Sequence, residues 1–396
     1  MSDSSRPRWT VFCAMVDNFG DIGVCWRLSR QLVHEHGIAV ELWVDDWTAL
    51  QRFVAAQPPE PGIRLQHWSS PWPQADSVTA AIADSDVVIE AFGCELPGEV
   101  KAAIAHTARP PLWINLEYLS AEDWVAGCHG LPSPQNLSAA IRKFFFFPGF
   151  DKGTGGLLRE AGLLDRHAHW QQHQLAERQR WWQKLGLDSA ALMSDMLMIS
   201  IFSYENPALR GLLQAMTDAD EPVLCVIPEG RSLNALHDGL AGVHGKRLQA
   251  GDMLRLGSLT LAVTAFSSQD DYDHLLSLCD FNLVRGEDSF VRAQWAGKPM
   301  LWHIYPQHDG VHMDKLNAFM GRYLQGLEPE LRLRCELLAR CWNLGEDCRE
   351  LWHYLRPQLP DLQQHARKWQ QKLAEQPDLA TNLVRFVNRP PAGLTP

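Results

Sequence analysis

Along the first 150 residues, short apolar runs recur between segments whose apolar positions fall three or four apart. Trp9–Val16, Ala39–Val44, Arg64–Trp68, Asp86–Ile89, Pro111–Asn115 and Phe144–Phe147 read as strands. Between the first two, Val24, Leu28 and Leu32 lie at helical spacing within Val24–His36, and Gly37 supplies a stop signal. Such alternation predicts a parallel sheet wrapped by helices. A charge-rich helical stretch, Leu163–Leu187, breaks the pattern. It resumes with Met196–Phe202, Pro222–Ile227, Leu259–Ala265, Phe281–Val284 and Pro299–Ile304. Helical segments follow from Gly310 onward, among them Glu328–Trp342, Asp361–Glu375 and Leu379–Val387, and no internal repeat is visible. Pro390, Pro391 and Pro396 mark a loose terminal tail.

A chain of 396 residues exceeds what one core usually supports. The break is therefore read as a boundary between two doubly wound halves. The expected class is α/β, with two Rossmann-like domains facing a central cleft, because open α/β sheets bind ligands at the carboxyl ends of their strands.

Composition narrows the function. With 46% hydrophobic and 21% charged residues the chain is ordinarily globular, so disorder is expected only at the termini. A formal charge of -11 gives no basic field, which argues against a nucleic-acid partner. The longest apolar runs, such as Ile114–Leu119, fall far short of the roughly 20 residues that span a bilayer, and no signal peptide precedes them; no membrane partner is expected. Nine cysteines without a CxxC pair fit a reducing cytoplasm and read as buried small residues. Paired tryptophans such as Trp181-Trp182 read as packing surface. His303, His308 and His312 cluster in sequence but match no ligand motif, so no metal is expected there.

Two segments carry candidate chemistry. Asp17-Asn18-Phe19-Gly20-Asp21-Ile22-Gly23 follows the first strand and precedes the first helix, where a Rossmann protein places its phosphate loop. The sequence is not GxGxxG, and two acids there repel a pyrophosphate. They suit a cationic or proton-losing acceptor. Helix capping accounts for either acid alone, but two acids four apart around Gly20, followed by Gly23, form a more acidic loop than capping requires.

The second segment runs from Val284 to Ala293 and meets the needs of an anion better. Gly286 permits a close turn, Ser289 offers hydroxyl and amide donors, the helix start is positive, and Arg285 can pair with phosphate oxygens. The bland alternative has Asp288 and Ser289 as caps and Arg285 paired with Glu287. Phe202-Ser203-Tyr204-Glu205-Asn206 ends the first strand of the same half, offering a phenolic donor in Tyr204. Phe266 and Gln269 to Tyr272 end another strand, giving an aromatic face for a base and an amide to read it, although each aromatic alone also fits a core role.

The residues leave several readings open. A glycosyltransferase with a glycan or small-molecule acceptor is disfavoured by the acidic loop. An NAD-dependent oxidoreductase is disfavoured by the missing glycine fingerprint. A non-catalytic binding protein, its loop acids merely capping helices, would show affinity without turnover.

Taken together, Asp17 through Leu28, Phe202-Ser203-Tyr204-Glu205, Val284 through Ala293 and Ile304-Tyr305-Pro306-Gln307 resemble the bacterial elongation factor P arginine rhamnosyltransferases, the EarP family, over nearly the whole chain. The resemblance implies a GT-B glycosyltransferase of the cytoplasm. It would move rhamnose from dTDP-β-L-rhamnose, with inversion and without metal or cofactor, to one arginine of elongation factor P, activating that factor for rescue of ribosomes stalled at polyproline. It also implies an acceptor-side domain over residues 1–160, onto which a helix at 376–390 packs back, and a nucleotide-sugar domain over 161–375.

By the same resemblance Asp17 and Asp21 are the acceptor-side acids, with Asp21 the general base, and Glu287 is a third catalytic carboxylate; the chemistry makes Asp17 a positioning or electrostatic partner and has Glu287 either stabilise the oxocarbenium-like sugar or order its neighbours. Asn18, Phe19 and Gly20 belong to the substrate-binding loop. Arg285, Gly286, Asp288 and Ser289, with Tyr204, contact diphosphate and sugar. Phe202, Phe266, Gln269 and Tyr272 line the nucleotide pocket. Tyr272 stands where some members are expected to carry phenylalanine, which keeps the stacking face and adds a hydroxyl.

Overall fold

The alternating runs form two six-stranded sheets. A computed structural model describes residues 6–16, 19–58, 60–69, 75–137, 140–185, 196–240, 247–307 and 310–389. Asp17, Asn18, His308 and the proline-marked tail lie outside the described residues. The chain divides into two units, Met1–Ala161 with Glu375–Pro396, and Gly162–Ala374.

The first unit runs β1 (Arg8–Cys13), α1 (Phe19–His36), β2 (Ala39–Val44), α2 (Trp47–Ala55), β3 (Ile63–His67), α3 (Ala75–Ala83), β4 (Val87–Ala91), α4 (Gly98–His106), β5 (Leu112–Leu116), α5 (Val125–Cys128) and β6 (Lys143–Phe146). Its strands are parallel in the order β3-β2-β1-β4-β5-β6. The order reverses between β1 and β4, the crevice at which a doubly wound sheet receives its ligand.

The second unit begins with α6 (Leu163–Gln172) and α7 (Gln174–Lys184), followed by β7 (Leu197–Ile201), α8 (Ala208–Thr217), β8 (Val223–Pro228), α9 (Arg231–Gly239), β9 (Met253–Leu256), β10 (Leu259–Thr264), α10 (Gln269–Leu278), β11 (Phe281–Arg285), α11 (Asp288–Ala296) and β12 (Met300–His303). Four helices complete it: α12 (Val311–Tyr323), α13 (Pro329–Leu344), α14 (Arg349–Leu355) and α15 (Leu359–Ala374). The sheet order is β12-β11-β7-β8-β10-β9, so here the reversal falls between β7 and β11. All pairs are parallel except β9 with β10. The central strands are buried on both faces, as helices on each side require, and Ile199, Leu212, Val263 and Trp342 lie in one apolar core.

α16 (Leu379–Asn388) belongs to the first unit. Asp378 caps it by accepting from the Thr381 amide at 2.9 Å, and the same carboxylate takes a 2.9 Å bond from Gln31 of α1. Phe386 sets its ring against Phe144 and Phe146 of β6, with centroids 5.5 and 5.6 Å apart.

Three expectations need correction. The first helix starts at Phe19 rather than Val24, so Phe19 to Gly23 form its first turn and not a loop. Gly20 and Gly23 each lower helix propensity by about 1 kcal/mol, but burial of Ile22, Val24 and Trp26 outweighs that. The stretch from Leu163 is two helices broken at His173. Gln269 to Tyr272 do not end a strand; they open α10, whose cap Ser268 accepts from the Asp271 amide at 3.1 Å. Strand β9 was not expected, because four residues carry too little periodicity to stand out from a loop. Among the described residues no helix is long and apolar enough to cross a membrane.

Candidate functional site

In the first unit the chain leaves β1 at Cys13 and enters α1 at the sheet's reversal point. Two carboxylates hold the intervening backbone. Asp45, just beyond β2, accepts from the Met15 amide at 2.9 Å, and Asp21 accepts from the Val16 amide at 2.8 Å. Asp21 lies in the first turn of α1, where the helix dipole favours a negative charge, and is 3% exposed. Asp45 was not foreseen; its one signal is its place at a strand's carboxyl end. The Cys13 thiol is pushed well up, first by a hydrogen bond with Cys25 and by burial and then by the Asp21 and Asp45 carboxylates, which keeps it protonated.

Phe19 packs toward Phe53 of α2 at 6.2 Å, and Gly20 is half-buried in the same turn. Across the reversal, the segment after β4 is strained. Phe92 and Glu95 have φ of 59° and 47°, a region non-glycine residues seldom occupy. Phe92 stacks on Tyr118, centroids 4.6 Å apart, and its amide donates to Leu116 O at 2.6 Å. No local sequence signal marks it.

In the second unit the candidate residues gather at the carboxyl ends of β7 and β11, again at the reversal. Arg285 ends β11 and is buried, its guanidinium lying over the Phe202 ring at 4.6 Å and the Tyr204 ring at 4.8 Å. Desolvated cation–π contacts of this kind fix a guanidinium plane. Gly286 then turns at φ 60°, its amide donating to His303 O at 3.3 Å and its carbonyl accepting from the Trp302 indole at 2.8 Å. Glu287 caps α11 without a side-chain hydrogen bond to the helix start.

Ser289 departs from expectation. Its hydroxyl accepts from the Arg285 amide at 3.1 Å and donates to the Arg285 carbonyl, so it staples the turn. What Ser289 offers an anion is its backbone amide. Gln269 donates to Asp288 at 3.1 Å, tying α10 to α11, and Tyr272 leans on Phe202 at 5.4 Å. Burial raises the Tyr272 phenol above its ordinary range, so it stays neutral. Phe266 is half-buried beyond β10. Deeper, Arg292 of α11 makes a bidentate pair with Asp273 of α10 at 2.9 and 2.6 Å, both side chains almost fully buried.

Sequence reasoning missed two further groups here. Arg231, at the start of α9, reaches over the Tyr204 ring at 5.1 Å and pairs with Glu205 at 2.8 Å. Burial pushes the Glu205 carboxyl up, but hydrogen bonds from Arg231 and the backbone, together with the charges of Arg231 and Arg285, outweigh it, leaving the acid below its ordinary range. The signal was Pro228-Glu229-Gly230-Arg231 at a strand's carboxyl end, with Gly230 at φ 125°, a backbone only glycine adopts readily. His303 ends β12 and is buried against Tyr204. Among the described residues no group of three or more His, Cys, Asp or Glu is placed to hold a metal, and His308 lies outside them.

The profile of a family described as EarP, Elongation-Factor P (EF-P) rhamnosyltransferase, matches residues 9–388. A protein-arginine rhamnosyltransferase of Pseudomonas putida is 50% identical over 387 residues, covering 96% of this chain and 98% of its own. One of Pseudomonas aeruginosa is 45% identical over 384 residues, covering 96% and 98%. A solved structure, described as the structural basis for EarP-mediated arginine glycosylation of translation elongation factor EF-P, is 39% identical with a TM-score of 0.68, covering 97% of this chain and 99% of that one. MurG of Acinetobacter baumannii shares the fold alone, at 14% identity and a TM-score of 0.52 over 97% of this chain and 99% of its own.

Proposed function

The chain belongs to the EarP family of elongation factor P rhamnosyltransferases, and from that membership we propose that it moves rhamnose from dTDP-β-L-rhamnose to one arginine of elongation factor P, with inversion. It is a protein-arginine rhamnosyltransferase of GT-B fold. One observation carries the finer reading: each reversal point presents the charge its substrate needs. The first gathers carboxylates, Asp21 and Asp45, which suit a guanidinium; the second presents an aromatic-held Arg285 beside a helix start without a side-chain cap, which suits a diphosphate.

Arginine is a poor nucleophile because its guanidinium is delocalised, charged and has a pKa above 12. Carboxylates remove that obstacle. In the proposed step Asp17 orients the guanidinium and a terminal nitrogen attacks the anomeric carbon from the face opposite the diphosphate. The N–C bond forms as the C–O bond to dTDP breaks, and the electron pair leaves with dTDP. The nitrogen's proton passes to Asp21. A single displacement inverts the anomeric centre and leaves no sugar on the enzyme.

On the donor side Arg285, the Tyr204 hydroxyl and the backbone amides of Asp288 and Ser289 stabilise the charge that develops on dTDP. Glu287 is the third carboxylate of the proposed set. Phe202, Phe266, Gln269 and Tyr272 hold the thymine. The modified factor would act in the cytoplasm, in rescue of ribosomes stalled at polyproline; all nine cysteines are free, as a reducing compartment keeps them.

Calorimetry tests the donor assignment. Arg285→Ala is expected to weaken dTDP binding on the order of 10- to 100-fold, the loss of charge-assisted hydrogen bonds worth about 1.5–3 kcal/mol. Unchanged affinity removes Arg285 from the donor site.

A further inference from the structure

His303 is the last residue of β12 and pairs in register with Arg285 of β11. The Tyr204 ring meets its imidazole edge-on at 5.1 Å and Trp342 meets it at 5.6 Å, so the same tyrosine touches both the imidazole and the Arg285 guanidinium. The residue is 5% exposed, yet its Nδ1 has no hydrogen-bond partner among the described residues. A buried polar nitrogen left without a partner carries its full desolvation penalty, and such groups call for an explanation. Packing between Tyr204 and Trp342 does not supply one, since an apolar side chain would fill that space without the penalty.

We propose that His303 is a donor-binding residue whose neutral imidazole donates an N–H to the diphosphate beside Arg285. The inference rests on the donor reading of the β11–α11 turn. A neutral imidazole has one donor and one acceptor, and an anion takes the donor. The charged and titratable groups around the ring come from four elements: Arg285 on β11, Arg231 on α9, Glu205 beyond β7 and His312 on α12. Burial, then Arg285 and Arg231, hold the imidazole down at about 4, so it is uncharged at neutral pH. It therefore contributes a directed hydrogen bond without adding a third positive charge. That division of labour suits a site that must release dTDP after transfer.

The test uses the full-length protein with dTDP as the probe. His303→Leu is expected to weaken dTDP binding on the order of 10-fold by calorimetry, about 1.4 kcal/mol. At least one amide variant, His303→Asn or His303→Gln, is expected to recover part of it. In the unaltered protein labelled with 15N-histidine, the His303 ring nitrogens are expected to shift as dTDP saturates the site, the resonances being assigned by their loss in His303→Gln. Wild-type affinity in His303→Leu, equal weakening in the leucine and both amide variants, or ring nitrogens that do not move would each overturn the proposal. The resonance measurement decides even where the leucine variant fails to fold. Arg285→Ala separates the two levels: if it also leaves dTDP binding unchanged, the donor reading has failed, whereas weakening there alone rejects only the role of His303.

Discussion

Asp21→Asn is expected to leave dTDP affinity within about twofold of the unaltered protein while slowing rhamnose transfer by about 10²- to 10⁴-fold, the usual worth of a positioned general base. Asparagine is the informative replacement because Asp21 also accepts the Val16 amide at 2.8 Å. An amide oxygen keeps that bond and so the start of α1, whereas alanine would remove the acceptor altogether; both replacements lose the negative charge that complements the helix dipole, worth about 0.3–1 kcal/mol. The comparison therefore isolates proton acceptance from local folding. Transfer rates measured under donor saturation, alongside calorimetry, give the two readouts. Near-normal transfer by a folded Asp21→Asn protein would reject the base assignment and return Asp21 to a purely structural role.

The second large effect is on stability. Arg292→Met is expected to destabilise the second unit by about 3–5 kcal/mol, because it leaves the Asp273 carboxylate buried without its bidentate partner. For a unit of this size that corresponds to a fall in unfolding midpoint on the order of 10 °C. Removing both charges, in Arg292→Met with Asp273→Leu, is expected to restore much of the loss, since the penalty comes from one uncompensated charge rather than from the absence of a salt bridge. The pair joins α10 and α11, the helices that carry Gln269, Tyr272, Asp288 and Ser289. Weakened stabilisation by dTDP should thus accompany the thermal shift in the single variant. Scanning calorimetry with and without dTDP checks both. An unchanged midpoint in Arg292→Met would show that the carboxylate finds other compensation.

The architecture was legible because both sheets are buried on two faces. Runs such as Val223–Ile227 have no reason to be wholly apolar except burial, and their alternation with helical spacing gives the parallel order. Asp17 to Gly23 and Arg285 to Ser289 stood out for a related reason: in the sequence each lies where an apolar run gives way to helical spacing. What failed was local. Gly20 and Gly23 suggested a loop, but a turn of helix forms there because tertiary burial of Ile22 and Trp26 overrides propensity. Ser289 looked like a phosphate donor, and its hydroxyl instead closes on the Arg285 backbone, a contact set by turn geometry.

Other site features depend on distance across the sheet. Nothing around Arg231 signals that Glu205 and Tyr204 lie beside it, since they come from a different strand end. His303 read as one of three histidines clustered in sequence without a ligand motif, whereas its neighbours in space are Tyr204 and Trp342. Phe92, at positive φ, stacks on Tyr118, a contact that no single segment encodes.

Intact-mass and fragmentation spectrometry of elongation factor P, after incubation with this protein and dTDP-β-L-rhamnose, tests the account most directly. A gain of one deoxyhexose, localised to an arginine and dependent on both donor and enzyme, is the predicted result. An unmodified factor with active enzyme and intact donor, or a sugar found on any other residue type, would contradict it.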